Sequence, residues 1–248
     1  MTLRLFVIRH GETEWSLSGQ YTGRADVKLT ENGKAEARKI EDRIRDIEFA
    51  HVMVSPLERA RQTCQLAGLG KRARVDVDLI EWDNGDYEGQ TPNEVRANRP
   101  DWNMFRDGCP NGEHPDQIAS RVDRLIASLK KLTGNVVLFT HGHLGRVLGA
   151  RWIGLSIEHA QHFCLDTGSI SILSYEPEQQ EQTLSLWNSS PKELSSCAPK
   201  QSSLAHVQAD VVVTKREAIE QWENEGGEVL RKVGAAPPAA DPLAQSSL

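Results

Sequence analysis

The stretch Leu5-Phe6-Val7-Ile8-Arg9-His10-Gly11-Glu12-Thr13-Glu14-Trp15 decides how the chain is read. An unbroken apolar run stops abruptly at Arg-His-Gly-Glu. The run is too short to span a membrane and lacks helical spacing, so it reads as a central, buried strand. Arg9, His10 and Glu12 then fall at the carboxyl end of that strand, where open α/β sheets place their sites.

Working outward, the same pattern recurs at Val136-Val137-Leu138-Phe139, which ends in Thr140-His141-Gly142-His143. A shorter strand is expected over 51–54, ending at Ser55-Pro56, where Ser55 reads as a cap and Pro56 suits the first helical position. A third strand over 74–79 is interrupted by Asp76 and Asp78. Strands over 169–175 and 183–187, with Pro177 between them, suit a hairpin. Helices are expected after the Thr30 cap, with Ala37, Ile40, Ile44 and Ile47 on one face, and over 56–67, 115–132 and 144–153. The segment 16–28 reads as a loop returning over the first strand. The segment 81–112 reads as irregular, and loops of that length are usually functional. Strands alternating with helices give an α/β class with a mostly parallel sheet.

The composition bounds the partners. With 248 residues, the chain accommodates a domain over 1–190 and a polar Ser/Pro/Ala-rich tail over 191–248, with one helix near 214–233. A net charge of −6 offers no basic excess for nucleic acid. Cys64, Cys109, Cys164 and Cys197 lack disulfide or metal-ligand spacing and read as free thiols in a reducing cytosol. Neither a secretory leader nor a membrane span is expected, so a cytoplasmic protein with no membrane partner is. The sequence sets no oligomeric state.

Four pieces lie at element ends: Arg9-His10, Arg59 with Arg61 nearby, Glu81 and His141. On a parallel sheet they converge on one rim. Phosphoryl transfer needs positioning and electrostatic stabilisation, which planar arginine forks supply. A neutral imidazole is a competent nucleophile, and the neighbouring cations favour the neutral form of His10. Glu81 is the candidate proton donor to the leaving oxygen. His141 is a donor to the phosphoryl oxygens. Gly11 and Gly142 leave room for backbone amides near the anion, and Thr22 and Gly23 do the same from the covering loop.

These residues resemble the histidine phosphatase superfamily, the phosphoglycerate mutase-like proteins. The likeness rests on the Arg9-His10-Gly11 motif, on Ser55 through Thr63 around Arg59, on Glu81-Trp82 with Gly85 and Gly89, and on Thr140-His141-Gly142. It covers about residues 3–188. It implies a three-layer α/β/α sandwich, a phosphohistidine on His10, a pocket of Arg9, Arg59 and His141, and Glu81 as acid. More narrowly, Ser18-Gly19-Gln20-Tyr21-Thr22-Gly23, Gly85-Asp86-Tyr87-Glu88-Gly89, Trp102 with Phe105-Arg106-Asp107-Gly108-Cys109, and Gly142-His143 are similar to the fungal sedoheptulose-1,7-bisphosphatase branch. That likeness implies a small phosphate ester as substrate, no cofactor, and Ser16, Gln20, Arg106 and His143 as further substrate contacts. Mutases of the superfamily carry a long insertion after the acid and usually Asn where this chain has Ser16. The short stretch after Glu81 implies an open site that admits water, which favours a phosphatase over a mutase. Two rivals are a metallohydrolase using His10, His141 and His143, disfavoured because two arginines repel a divalent cation, and a scaffold with an idle phosphate pocket.

Overall fold

The computed structural model describes residues 2–176, 178 and 181–190. All of them lie in the first of the chain's two units, Met1–Lys192 and Glu193–Leu248. The expected tail over 191–248, with its helix, lies outside the described residues.

Six strands form one sheet: β1 (Leu3–Arg9), β2 (His51–Val54), β3 (Arg74–Val75), β4 (Gly134–Thr140), β5 (Ile170–Glu176) and β6 (Glu181–Ser189), in the order β3-β2-β4-β1-β5-β6. The pairs among β1, β4, β2 and β3 are parallel, and β5 and β6 add on antiparallel. The helices are α1 (Glu14–Ser18), α2 (Glu31–Ile44), α3 (Glu58–Leu66), α4 (Pro92–Asn98), α5 (Met104–Asp107), α6 (Pro115–Leu129) and α7 (Gly142–Trp152).

Alternation along β1 builds the layers. Leu3, Leu5 and Val7 pack into one apolar cluster with Ile118, Val122 and Leu125 of α6 and Val147 and Leu148 of α7. Phe6 and Ile8 point the other way, into a cluster with Ile40 and Ile44 of α2 and Ala60 and Cys64 of α3. A strand buried on both faces must be apolar at every position, which is why the opening run is unbroken. The result is a three-layer α/β/α sandwich.

The register sets the site. Arg9 pairs with Thr140, and Val54 pairs with Phe139. Thus His10 and His141 leave adjacent strands level with each other, and Ser55 leaves the third strand level with Thr140, one residue before His141. Gly11 is needed for packing: a Cβ there would lie 2.3 Å from the Gly33 carbonyl oxygen of α2.

Several local expectations are corrected. The third strand keeps only Arg74–Val75, because the Asp76 side chain accepts from the Asp78 N–H at 2.8 Å and starts a 3-10 turn over Val77–Leu79. Helix α3 begins at Glu58, two residues after Pro56. The 16–28 loop begins only after α1, which Thr13 caps through a reciprocal box with Ser16. The 81–112 segment contains α4 and α5; Thr91 and Glu94 form another capping box at the start of α4. Ile47 lies past the end of α2 and packs only partly buried on its cluster.

Candidate active site

His10 follows β1 and is 4% exposed. Its Nδ1 lies 2.7 Å from the Gly11 carbonyl oxygen. A carbonyl only accepts, so Nδ1 carries the proton and Nε2 keeps its lone pair. That Nε2 accepts from Arg59 Nε at 3.2 Å. Burial, then the charges of Arg59 and Arg9, hold the His10 pKa well below the usual imidazole value, against the Gly11 bond, which raises it. The ring is therefore neutral at neutral pH.

Arg59 is completely buried. Its Nη1 donates to the Ala25 carbonyl at 2.7 Å, and its Nη2 to the Thr22 and Gly23 carbonyls at 3.2 and 2.9 Å. Burial lowers its pKa to about 10, which leaves it cationic. The loop after α1 thus contributes carbonyls to Arg59. Nor is the Gly11 amide free for an anion, since it donates to Thr63 Oγ1 at 3.1 Å. Arg9 donates from Nη1 to the Leu165 carbonyl, while its buried Nε has no partner. Gly142 lies against its guanidinium: a Cβ there would sit 3.2 Å from Arg9 Cζ.

Glu81 follows the 3-10 turn. Thr140 Oγ1 donates to the Leu79 carbonyl, and Arg121 Nη1 to the carbonyls of Asp78 and Ile80, so the residues before Glu81 are tied down. The Glu81 carboxylate accepts three backbone N–H bonds: Trp82 at 2.9 Å, Leu144 at 2.8 Å and His143 at 3.0 Å. Burial pushes its pKa up, but the charge of His143, wherever that ring is protonated, and the three N–H groups outweigh that and hold it below the usual carboxylate value. His143, 3.8 Å away, is itself lowered to about 4 by burial, so it is neutral. In the free protein Glu81 is therefore a carboxylate, not a carboxylic acid.

His141 follows β4 and is fully buried. Its ring centroid is 5.3 Å from that of His10. Its Nε2 meets Ser55 Oγ at 2.6 Å, and its Nδ1 has no partner. Burial and Arg59 hold it neutral.

A cavity of about 290 Å³ opens on these groups. Its walls include Arg9, His10, Ser16, Gln20, Thr22, Glu81, Gly142 and His143 from the expected set. Arg59, His141 and Gly23 are not among the wall residues, but Arg59 and the His141 ring both adjoin His10. Arg106 does not belong to it: it pairs with Asp107 at 2.8 Å on an exposed ridge and lines a separate cleft with Arg99, Pro100 and Asp101. A basic residue beside an acid one position away finds that partner first. Ser16 and Gln20 line the cavity but are also tied locally, Ser16 in the Thr13 cap and Gln20 to the Gly89 carbonyl at 2.6 Å. His10 and Glu81 are both nearly buried, yet both line the cavity that opens on them.

The sequence reading missed Arg146, Tyr21, Pro92 and Leu165, all of which line the cavity. Arg146 was discoverable, because residues 142, 143 and 146 share one face of a helix. It donates from Nε and Nη2 to the Ala160 and Gln161 carbonyls and lies over the Phe105 ring. Ser55 reads from sequence only as a cap, yet its Oγ also meets His141 Nε2. Among the described residues, no three or more His, Cys, Asp or Glu side chains gather as metal ligands would, and no helix is long and apolar enough to cross a membrane.

Comparisons with known proteins agree with this geometry. The family model for the histidine phosphatase superfamily (branch 1) matches residues 5–190. An acid phosphatase of Mycobacterium tuberculosis is 37% identical over 177 residues, 70% of this chain and 87% of that protein. A sedoheptulose 1,7-bisphosphatase of Saccharomyces cerevisiae is 38% identical over 191 residues, 64% of this chain and 70% of its own length. A solved structure of the Mycobacterium tuberculosis open reading frame Rv3214 superposes with a TM-score of 0.71 at 34% identity, covering 75% of this chain and 97% of that one.

Proposed function

The chain belongs to the histidine phosphatase superfamily, and from that premise we propose that it hydrolyses a small phosphate monoester through a phosphohistidine on His10. One observation carries the reading: the Gly11 carbonyl accepts from Nδ1–H and leaves the Nε2 lone pair of a neutral ring beside the Arg59 guanidinium.

Nε2 of His10 attacks phosphorus, and the bond to the ester oxygen breaks. The departing alkoxide takes a proton from Glu81. Arg9, Arg59 and His141 stabilise the charge spread over the phosphoryl oxygens. Arg59 first has to yield its bond to Nε2. Glu81 is ionised at rest, so it takes up its proton with the substrate, when the phosphate charge beside it raises its pKa. In the second step Glu81, now a carboxylate, accepts a proton from water. The water oxygen attacks phosphorus, the P–N bond breaks, and inorganic phosphate leaves. No metal is required, because the arginines supply the positive charge that a cation would bring.

The preferred substrate is a sugar bisphosphate such as sedoheptulose 1,7-bisphosphate. The yeast relative supports this choice, and Arg146 supplies a second cation on the cavity wall. Rapid acid and alkaline quench of enzyme with labelled substrate tests the mechanism. An acid-labile, base-stable phosphoenzyme that His10→Ala abolishes is expected. An acid-stable phosphoenzyme, activity restored by zinc after chelation, or no hydrolysis across a panel of sugar phosphates would overturn it. A second reading, return of the phosphoryl group to a bound sugar as in a mutase, is supported by the 28% identity to a probable phosphoglycerate mutase of Enterobacter sp.. The ratio of released phosphate to isomerised sugar phosphate decides between them.

A further inference from the structure

We infer that Ser55 is a positioning residue that fixes the tautomer of His141, so that Nδ1–H is the donor offered to the phosphoryl group on His10. The inference rests on the proposed phosphohistidine reading for its purpose, but its evidence is independent of it.

The argument is a hydrogen count. Ser55 is fully buried at the end of β2. Its Oγ has two partners: the Leu57 backbone N–H at 3.3 Å and His141 Nε2 at 2.6 Å. An amide N–H only donates, so Oγ accepts there. Two arrangements of the other contact are conceivable. If His141 carried its proton on Nε2, Oγ would accept twice and the serine proton would have no acceptor. His141 Nδ1 would then be a buried lone pair without a donor. Two buried polar groups would be orphaned. If the serine hydroxyl donates to Nε2, every group of Ser55 is satisfied and only His141 Nδ1–H remains without a partner. Buried polar groups are paired wherever the fold allows, so the second arrangement holds.

The one group left over is then a donor on a ring 5.3 Å from His10. An acceptor arriving with the phosphoryl group completes its bonding. Burial and the cation of Arg59 keep His141 neutral, so the ring has one N–H to place, and Ser55 decides where. The level register of Val54 with Phe139 brings the two side chains together.

Long-range 1H–15N correlation spectra of 15N-histidine-labelled enzyme at neutral pH read the tautomer directly. His141 is assigned by loss of its signals in His141→Gln. The expected wild-type pattern is Nδ1–H, with a proton shift when inorganic phosphate is added. Ser55→Ala should move His141 toward the Nε2–H form and lower kcat by about 10- to 100-fold, the usual effect of removing a residue that orients an active-site ring. Ser55→Thr, which keeps the hydroxyl, should retain the tautomer and most of kcat. An Nε2–H pattern in the wild-type enzyme overturns the inference, and so does an unchanged His141 spectrum in folded Ser55→Ala. The wild-type spectrum decides even if that variant does not fold. A fully active His10→Ala enzyme would sink the phosphohistidine reading and leave the tautomer result standing.

Discussion

His10 and His141 end adjacent parallel strands at the same level, both nearly or wholly buried and both held neutral by burial and Arg59. They differ in what holds each ring. His10 is gripped at Nδ1 by an acceptor, the Gly11 carbonyl, and so keeps a lone pair on Nε2. His141 is gripped at Nε2 by a hydroxyl, that of Ser55, and so keeps a proton on Nδ1. On the proposed mechanism, one side-chain type thus serves as nucleophile in one place and as donor in the other. The ring's own chemistry does not make that distinction; its first hydrogen-bond partner does.

The strongest way to break this comparison is to remove each ring. His10→Ala should lose activity by about 10⁴-fold or more and form no phosphoenzyme, because a nucleophile has no substitute. His141→Ala should lose about 10²- to 10³-fold, the effect of deleting one transition-state donor, and still form the phosphoenzyme on His10. Single-turnover kinetics with quench separates the two. Equal losses with no phosphoenzyme in either would mean that the rings do not divide the work as described.

Glu81→Gln sharpens the division between nucleophile and acid. Removal of a general acid should cost about 10²- to 10⁴-fold with a sugar phosphate, whose alkoxide needs a proton. With p-nitrophenyl phosphate, whose leaving group needs none, the first step should be almost unaffected, and the burst of p-nitrophenol should persist. A burst lost equally with both substrates would place Glu81 in binding rather than proton transfer.

Legibility in the sequence followed the same physics. The unbroken runs of β1 and β4 were readable because strands buried on both faces tolerate no polar residue, and the histidines that end them came with the strands. Arg74-Val75 was over-extended because Asp76 caps a turn, a side-chain bond that no hydrophobic pattern records. Helices α4 and α5 were hidden because each buries few residues and so carries little periodicity. Arg106 looked like a site residue by its neighbours in sequence, yet Asp107 neutralises it on the surface. Ser55 looked like a cap because its partner, His141, is 86 positions away.

Arg146 and Arg106 extend the comparison to the substrate. Arg146 lies on the α7 face that carries Gly142 and His143 and lines the cavity; Arg106 does not. Arg146→Ala should raise KM for a sugar bisphosphate by about 10-fold, the loss of one charge-assisted contact, and change KM for a small monophosphate much less. Arg106→Ala should leave both within about twofold, as expected for an exposed pair. A bisphosphate KM that responds to Arg106 and not to Arg146 would place the second anionic group over α5.

The smallest effect tests what the two histidines share. Both are buried and neutral, with pKa values well below the unfolded value of about 6.5. As pH falls below 6.5 the unfolded chain takes up protons at these rings and the folded chain does not. Stability is therefore full above 6.5 and declines on acidification, by up to about 1.4 kcal/mol per pH unit for each ring. His143, lowered to about 4, adds to the same slope down to that pH. Glu81, a carboxylate held below its usual value, begins to contribute only under about pH 4.5. Urea unfolding between pH 7 and 5 thus isolates the histidines. His10→Gln and His141→Gln should flatten the slope by similar amounts, although their activities differ by orders of magnitude. A slope flattened by only one of them would show that the rings are not equally neutral, and the contrast between lone pair and proton would then be a contrast of charge.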